Sequence, residues 1–91
     1  MAKRLMIEGR VQGVGYRASF ASQAIKLGLK GWVRNCRDGS VEACVDGDAA
    51  MLDAIVTWAR RGPPSAQVSN VAVEEVAEPI EMESFKILHT D

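Results

Sequence analysis

Hydrophobic and polar residues follow two different spacings along the chain, and these spacings predict the secondary structure. Apolar residues at every second position are typical of a strand with one buried face, whereas spacings of three and four residues are typical of an amphipathic helix. The pattern predicts strands at residues 3–11, 30–37, 40–46, 66–76 and 85–88 and helices at residues 17–28 and 49–61. Gly28 and Gly62 stand where the two helices are expected to end.

The order of these elements, β-α-β-β-α-β followed by a short extra strand, is typical of the ferredoxin-like α+β fold. In that fold two helices pack on one face of an antiparallel sheet, and right-handed crossovers place the first and third strands at its centre. Between the second and third strands, Asp38 and Gly39 favour a two-residue hairpin turn, which would pair Arg37 with Ser40. We expect a single domain that spans residues 1–91.

Composition favours a globular protein of the cytoplasm. Of the 91 residues, 47% are hydrophobic and 25% are charged, and both values are close to the average for globular proteins. No apolar run approaches the ~20 residues of a membrane-spanning helix. Glu8 also interrupts the amino terminus before an apolar signal sequence could form. We therefore expect a cytoplasmic protein that has no membrane partner.

The net charge is −1, but the charges are unevenly distributed along the chain. Residues 1–45 contain eight Lys and Arg against three Asp and Glu, whereas residues 46–91 contain three against nine. A site for an anion is therefore expected in the first half. Cys36 and Cys44 are too few for a disulfide scaffold and lack the paired spacing of a zinc site, so we expect two free thiols.

The stretch from Gly9 to Arg17 contains the groups that an anion site needs. Its spaced glycines, Gly13 and Gly15, allow successive backbone N–H groups to point into one concavity, and the amino end of a helix adds the positive end of its dipole. Arg17 offers a planar fork of donors that can hold a phosphate through two oxygens. The same residues would suit a tight connection with a solvated arginine, and spacing alone leaves that alternative open.

Asn35 is a second candidate, because asparagine is uncommon inside a strand. One interpretation is a residue at a bulge or near a turn that bonds to its own backbone. The other is a fixed amide that orients a water molecule. Its carbonyl oxygen would accept one of the water's protons, and its NH2 group would contact a phosphoryl oxygen.

Tyr16 and His89 are weaker candidates. Tyr16 could pack beneath the loop or contact a substrate, and we favour the packing role. His89 is the only histidine and lies close to the carboxyl terminus, where we expect it to be exposed. A mechanism based on histidine is therefore not favoured.

Three segments together resemble the acylphosphatase family. They are the run Gly9-Arg-Val-Gln-Gly-Val-Gly-Tyr-Arg17, the sequence LGLKGWVRN at residues 27–35 and the sequence DGSVE at residues 38–42. The resemblance extends over essentially the whole chain and implies the ferredoxin-like fold of that family. It also implies hydrolysis of acyl phosphates, the mixed anhydrides of a carboxylic acid and phosphate, to a carboxylate and inorganic phosphate.

The resemblance further implies a role for each residue of the site. The backbone of the first loop would cradle the phosphate, which assigns phosphate binding to Val11, Gln12, Gly13, Val14, Gly15 and Tyr16. Arg17 would bind the phosphoryl oxygens, and Asn35 would position the attacking water. The family uses neither a metal nor an organic cofactor. We expect a monomer whose partners are a small acyl phosphate and inorganic phosphate, the latter as product and competitive ligand.

Two other functions are compatible with the same fold. The chain could be a non-catalytic module that binds acyl phosphate or phosphate, and turnover would distinguish it from an enzyme. RNA-binding domains of this fold stack bases on aromatic residues of the central strands. The predicted first and third strands contain no aromatic residue, so we expect no nucleic-acid partner.

Overall fold

The computed structural model describes residues 1–90 and has the element order that the sequence predicts. The elements are β1 (Ala2–Arg10), α1 (Tyr16–Lys26), β2 (Lys30–Asn35), β3 (Val41–Asp46), α2 (Ala49–Arg61), β4 (Gln67–Val76) and β5 (Phe85–Ile87). No helix within these residues is both long enough and apolar enough to cross a membrane.

The five strands form one sheet in the order β4-β1-β3-β2-β5. β1 pairs antiparallel with both β3 and β4, so the predicted central position of β1 and β3 is confirmed. β5 pairs with β2 in parallel, with Gly31 opposite Phe85 and Val33 opposite Ile87. The sheet is therefore antiparallel except at this edge, where the last strand brings the end of the chain beside β2.

Both helices pack on the same face of the sheet and share one hydrophobic core with it. The strands contribute alternate side chains to that core, namely Leu5, Ile7, Val33, Val41, Ala43 and Val45. An aromatic cluster joins the two helices, because the ring of Trp58 in α2 lies 5.5 Å from that of Tyr16 and 5.8 Å from that of Phe20. Burying each such large side chain contributes about 1.5–3 kcal/mol, and the cluster fixes the start of α1 against α2.

Backbone hydrogen bonds end α1 at Lys26, before the predicted end at residue 28, and Gly28 lies in the turn that follows. Leu29 N–H donates to Ala24 O over 2.9 Å, and Gly28 N–H donates to Ile25 O over 3.0 Å. These two bonds form a Schellman motif, which satisfies carbonyl groups that would otherwise lack a partner at the helix end. The turn sends the chain directly into β2, the strand that carries Asn35.

The predicted two-residue turn between β2 and β3 is wrong. Asn35 pairs with Val41, Cys36 N–H donates to Ser40 O over 2.9 Å, and Gly39 N–H donates to Cys36 O over 3.1 Å. The loop therefore contains three residues, with Gly39 at a φ of 96°. Loops of this length combine a turn with a left-handed residue, and the Asp-Gly pair suits that geometry as well as the shorter one.

An ion-pair network centred on the buried Glu42 lies on the sheet face opposite the helices. Glu42 is only 6% exposed and accepts hydrogen bonds from Arg34 (Nη2 to Oε1, 2.7 Å) and from Arg4. Arg4 extends the network to Glu74, and Arg34 lies over the ring of Trp32. Burial opposes ionisation of Glu42, but the bonds from both arginines outweigh it and hold the pKa of this carboxyl below its usual value.

We expect Glu42→Gln to lower the free energy of unfolding by about 2 kcal/mol at neutral pH, because it leaves two guanidinium groups facing a neutral amide. A carboxylate with a lowered pKa stabilises the protein above its unfolded pKa of ~4.3 and loses that contribution as the pH falls through the folded value. The free energies of unfolding of wild type and variant, measured with urea, should therefore differ most at neutral pH and become equal in acid. Glu75→Gln, at an exposed position of β4, is the control. An equal loss of unfolding free energy in Glu42→Gln and Glu75→Gln would contradict the stabilising role of the network.

Candidate active site

The site begins where β1 leaves the sheet. The pairing of β1 with β4 shifts register between Glu8 and Gly9, because Glu8 lies opposite Asn70 and Gly9 lies opposite Val68, so Ser69 of β4 is the extra residue. The pairing then continues to Arg10, the last residue of β1. Beyond Arg10, residues 11–15 connect β1 to α1.

Two glycines in this connection adopt a backbone conformation that other residues rarely take. Gly13 has a φ of 74° and Gly15 a φ of 77°, and a Cβ atom at either position would meet no atom within 4 Å. Glycine is therefore required here by backbone conformation and not by crowding. In the described part of the chain, no backbone hydrogen bond uses the N–H groups of residues 12–15 as donors, so these groups can bind an anion.

The amino end of α1 adds to this set of donors. Its first backbone hydrogen bond joins Ser19 N–H to Gly15 O, so the preceding amides have no acceptor within the helix. Gly15 provides no capping side chain, and no acidic residue stands in the first turn. The positive end of the helix dipole is therefore available to bind an anion from outside the protein.

Arg17 lies in the first turn of α1, and the end of β5 orients its guanidinium. Its Nη1 donates to Leu88 O over 3.2 Å, while Leu88 N–H donates to Val33 O in β2 over 2.9 Å. This bond holds one edge of the guanidinium, and within residues 1–90 it leaves most of the N–H donors of Arg17 without another partner. The arrangement suits a planar group that binds two oxygens of a phosphate.

Asn35 is the last residue of β2, two positions from the fully buried Val33. Its Oδ1 is buried and has no hydrogen-bond partner within residues 1–90. The sequence also allowed an asparagine that bonds to its own backbone. The side-chain oxygen of Asn35 makes no such bond. A buried acceptor without a partner costs about 1–3 kcal/mol, so the position favours a bound group that donates a hydrogen bond.

Arg17 and Asn35 line one cavity of ≈ 210 Å³. Its other lining residues are Val11, Gly13, Gly15, Tyr16, Ala18 and Ile87. Sequence reasoning missed Ala18 and Ile87. Ala18 could have been found from its place beside Arg17 in the first helical turn, whereas Ile87 reaches the cavity only because β5 pairs with β2.

Four predicted cradle residues have side chains that contact other parts of the protein. Val11 lies in the core, Val14 packs against it, and Gln12 Nε2 donates to Cys36 O and Ser40 O. Tyr16 is 1% exposed, and its hydroxyl donates to Ala59 O over 2.9 Å. Tyr16 therefore packs beneath the loop, and this burial raises the pKa of its hydroxyl.

A larger but shallower cleft of ≈ 530 Å³ lies between α1 and the end of α2. Ser19, Trp58, Arg61 and Pro63 are among the residues that line it. Its lining residues include no buried polar atom without a partner and none of residues 11–15. We therefore place the candidate site in the smaller cavity, on chemical grounds. Residues 1–90 contain no group of three or more His, Cys, Asp and Glu side chains that could hold a metal ion.

Comparisons with known proteins agree with this geometry. The sequence model of the acylphosphatase family matches residues 3–87. The chain is 51% identical over 84 residues to an acylphosphatase of Methylococcus capsulatus, which covers 92% of this chain and 91% of the relative. The crystal structure of an acylphosphatase from Bacillus subtilis matches with a TM-score of 0.92 and 34% identity, covering 96% of this chain and 97% of that one.

A second kind of match involves a larger protein. Full-length HypF in its phosphate- and nucleotide-bound form matches with a TM-score of 0.88 and 33% identity, over 99% of this chain but only 12% of that one. The same fold therefore occurs both in acylphosphatases of similar length and within a longer protein. The family match over residues 3–87 and the level of identity establish that this chain belongs to the acylphosphatase family, and it is a hydrolase.

Proposed function

We propose that the enzyme hydrolyses acyl phosphates by in-line attack of a water held by Asn35 on a phosphate held by Arg17 and the backbone of residues 11–16. The observation that carries this proposal is that Arg17 and Asn35 line the same cavity at the amino end of α1, while the Oδ1 of Asn35 is buried without a hydrogen-bond partner within residues 1–90. The rest of the mechanism follows from the charge and hydrogen-bonding capacity of these groups.

Phosphate binding rests on fixed donors. The N–H groups of residues 12–15 make no backbone hydrogen bond within residues 1–90, and the dipole of α1 favours negative charge at the same place. Arg17 adds a full positive charge, already oriented by Leu88 O. Because these donors are in place before the substrate arrives, they stabilise charge on the phosphoryl oxygens without reorganising.

Asn35 supplies the second requirement, a water in the correct position. Its Oδ1 accepts a hydrogen bond from the water, which directs a lone pair of the water oxygen toward phosphorus. The bond from water oxygen to phosphorus forms while the bond from phosphorus to the acyl oxygen breaks, and its electron pair leaves with the carboxylate. The transition state is loose and the carboxylate leaves easily, so little proton removal is needed at the barrier. The departing carboxylate can then accept the proton.

The acyl group is recognised less strictly than the phosphate in this proposal. The predicted polar contacts, from residues 11–16, Arg17 and Asn35, all serve the phosphate and the water. Ile87, which is 48% exposed, is an apolar side chain in the cavity lining. We therefore propose broad acyl specificity. A strong preference in kcat/KM for one small acyl phosphate over others would contradict it.

A non-catalytic module that binds acyl phosphate or phosphate is the alternative function. The family match over residues 3–87 and the 51% identity to an acylphosphatase favour the enzyme over this module. In the module, phosphate would bind in the same cavity but no acyl phosphate would be hydrolysed.

We also propose that the protein is a cytoplasmic monomer. The large hydrophobic side chains that are exposed, Met1, Ile25, Met51 and Ile87, come from four different parts of the chain. Stable association usually needs a contiguous apolar patch. Light scattering at two protein concentrations would overturn this proposal if it gave the mass of a dimer at both.

The activity itself is tested by hydrolysis of acetyl phosphate and benzoyl phosphate in excess EDTA. We expect turnover of both substrates that EDTA does not reduce, because Arg17 and the backbone donors neutralise the phosphate charge. Release of inorganic phosphate gives the rate. Phosphate binding without turnover would favour the module, and turnover that EDTA abolishes would contradict the mechanism.

The division of roles between the two side chains is tested by substitution. Asn35→Ala should lower kcat by about 100-fold or more, with the inhibition constant of inorganic phosphate changed less than about twofold, because only the water loses its anchor. Arg17→Ala should raise that inhibition constant by about tenfold or more and also lower kcat. Arg61→Ala, which removes an arginine from the larger cleft, is the control and should leave both values unchanged. Equal loss of phosphate binding in the first two variants would show that the assignment is wrong.

A further inference from the structure

The side chain of Gln12 forms a direct hydrogen-bonded link between the cradle and the β2–β3 hairpin. Its Nε2 donates to Cys36 O over 2.7 Å and to Ser40 O over 2.8 Å. Both acceptors are carbonyl oxygens, so only the donor end of the amide can face them. Gln12 is not among the residues that line the proposed phosphate cavity. Its side chain therefore bonds to the hairpin, while its backbone N–H belongs to the proposed cradle.

The two acceptors are the residues that close the hairpin loop. Cys36 N–H donates to Ser40 O, and Gly39 N–H donates to Cys36 O. Each of these carbonyl groups therefore accepts one bond from within the hairpin and a second bond from Gln12. The amide of Gln12 thus bonds to Cys36 and Ser40, the two residues at the base of the loop. These bonds hold the base of the loop at a fixed distance from residues 11–16, the segment proposed to bind phosphate.

Cys36 directly follows Asn35, and this adjacency connects the link to the reaction. The Oδ1 of Asn35 has no partner within residues 1–90, so no bond to that oxygen holds it in position. Its position depends on the backbone at the end of β2, where Gln12 is bonded. The relative position of cradle and Asn35 decides whether the water lies in line with the bond that breaks.

We propose that Gln12 is a positioning residue, whose amide sets the distance between the phosphate cradle and Asn35. This inference rests on the proposed mechanism and extends it. Loss of the amide should leave phosphate binding intact, because the N–H groups of the cradle and Arg17 remain. It should lower the rate of the chemical step, because small misalignments of reacting groups are costly.

The test is Gln12→Met, which keeps a side chain of similar length and removes both donors. We expect kcat for benzoyl phosphate to fall by about tenfold, with the inhibition constant of inorganic phosphate within about twofold of wild type. Assays are run at a temperature where circular dichroism shows the variant to be folded. A kcat equal to wild type, or an equal loss of kcat and phosphate affinity, would overturn the proposal.

The matched control separates positioning from hairpin stability. Asp38 Oδ1 accepts bonds from Ser40 N–H and Ser40 Oγ within the same loop, so Asp38→Ala weakens the hairpin while both N–H donors of Gln12 and both of their acceptor carbonyls remain. We expect it to lower the melting temperature while kcat stays within about twofold of wild type. A loss of kcat in Asp38→Ala as large as that in Gln12→Met would show that Gln12 acts only through stability. Failure of wild type to hydrolyse the substrate would instead overturn the proposed function, so the two failures are distinguishable.

Discussion

β1 pairs with a neighbouring strand along both of its edges, and the phosphate cradle begins where that pairing ends. Leu5 and Ile7 are fully buried beneath the helices, so the register of β1 cannot slip without exposing them. Pairing with β4 continues to Arg10, the last residue of β1, and so fixes the point at which the chain leaves the sheet. The position at which the cradle starts therefore depends on this strand, and the side chains of Val11 and Val14 pack the cradle against the core.

The other end of the cradle is held by the core. Tyr16 follows Gly15 and lies in an aromatic cluster with Phe20 and Trp58, and its hydroxyl is bonded to Ala59 O in α2. A backbone loop held at both ends in this way can present N–H groups in fixed directions. Rigid donors of this kind stabilise an anion better than mobile side chains, since they lose little freedom on binding. In the proposed mechanism, the stability of the core and the affinity for phosphate are therefore linked through Tyr16.

The sequence predicted the elements and the central strands well because burial on one sheet face imposes regular spacing, as in β1. The number of loop residues after Cys36 was predicted wrongly, because Asp-Gly suits both a two-residue and a three-residue loop. The side-chain link from Gln12 could not be predicted, since it joins segments 24 residues apart and depends on how the hairpin closes. Ile87 was missed for a similar reason, because the parallel pairing of β5 leaves no local signal.

The central claim is that phosphate binds between the cradle and Asn35, and the most direct measurement is a titration of the 15N-labelled protein with inorganic phosphate, followed by NMR. We expect saturable shifts of the backbone amides of residues 12–17 and of the side-chain amide of Asn35, with the residues of the larger cleft, such as Ser22 and Arg61, unchanged. Shifts centred on that cleft, or no saturable shift at the cradle, would contradict the account.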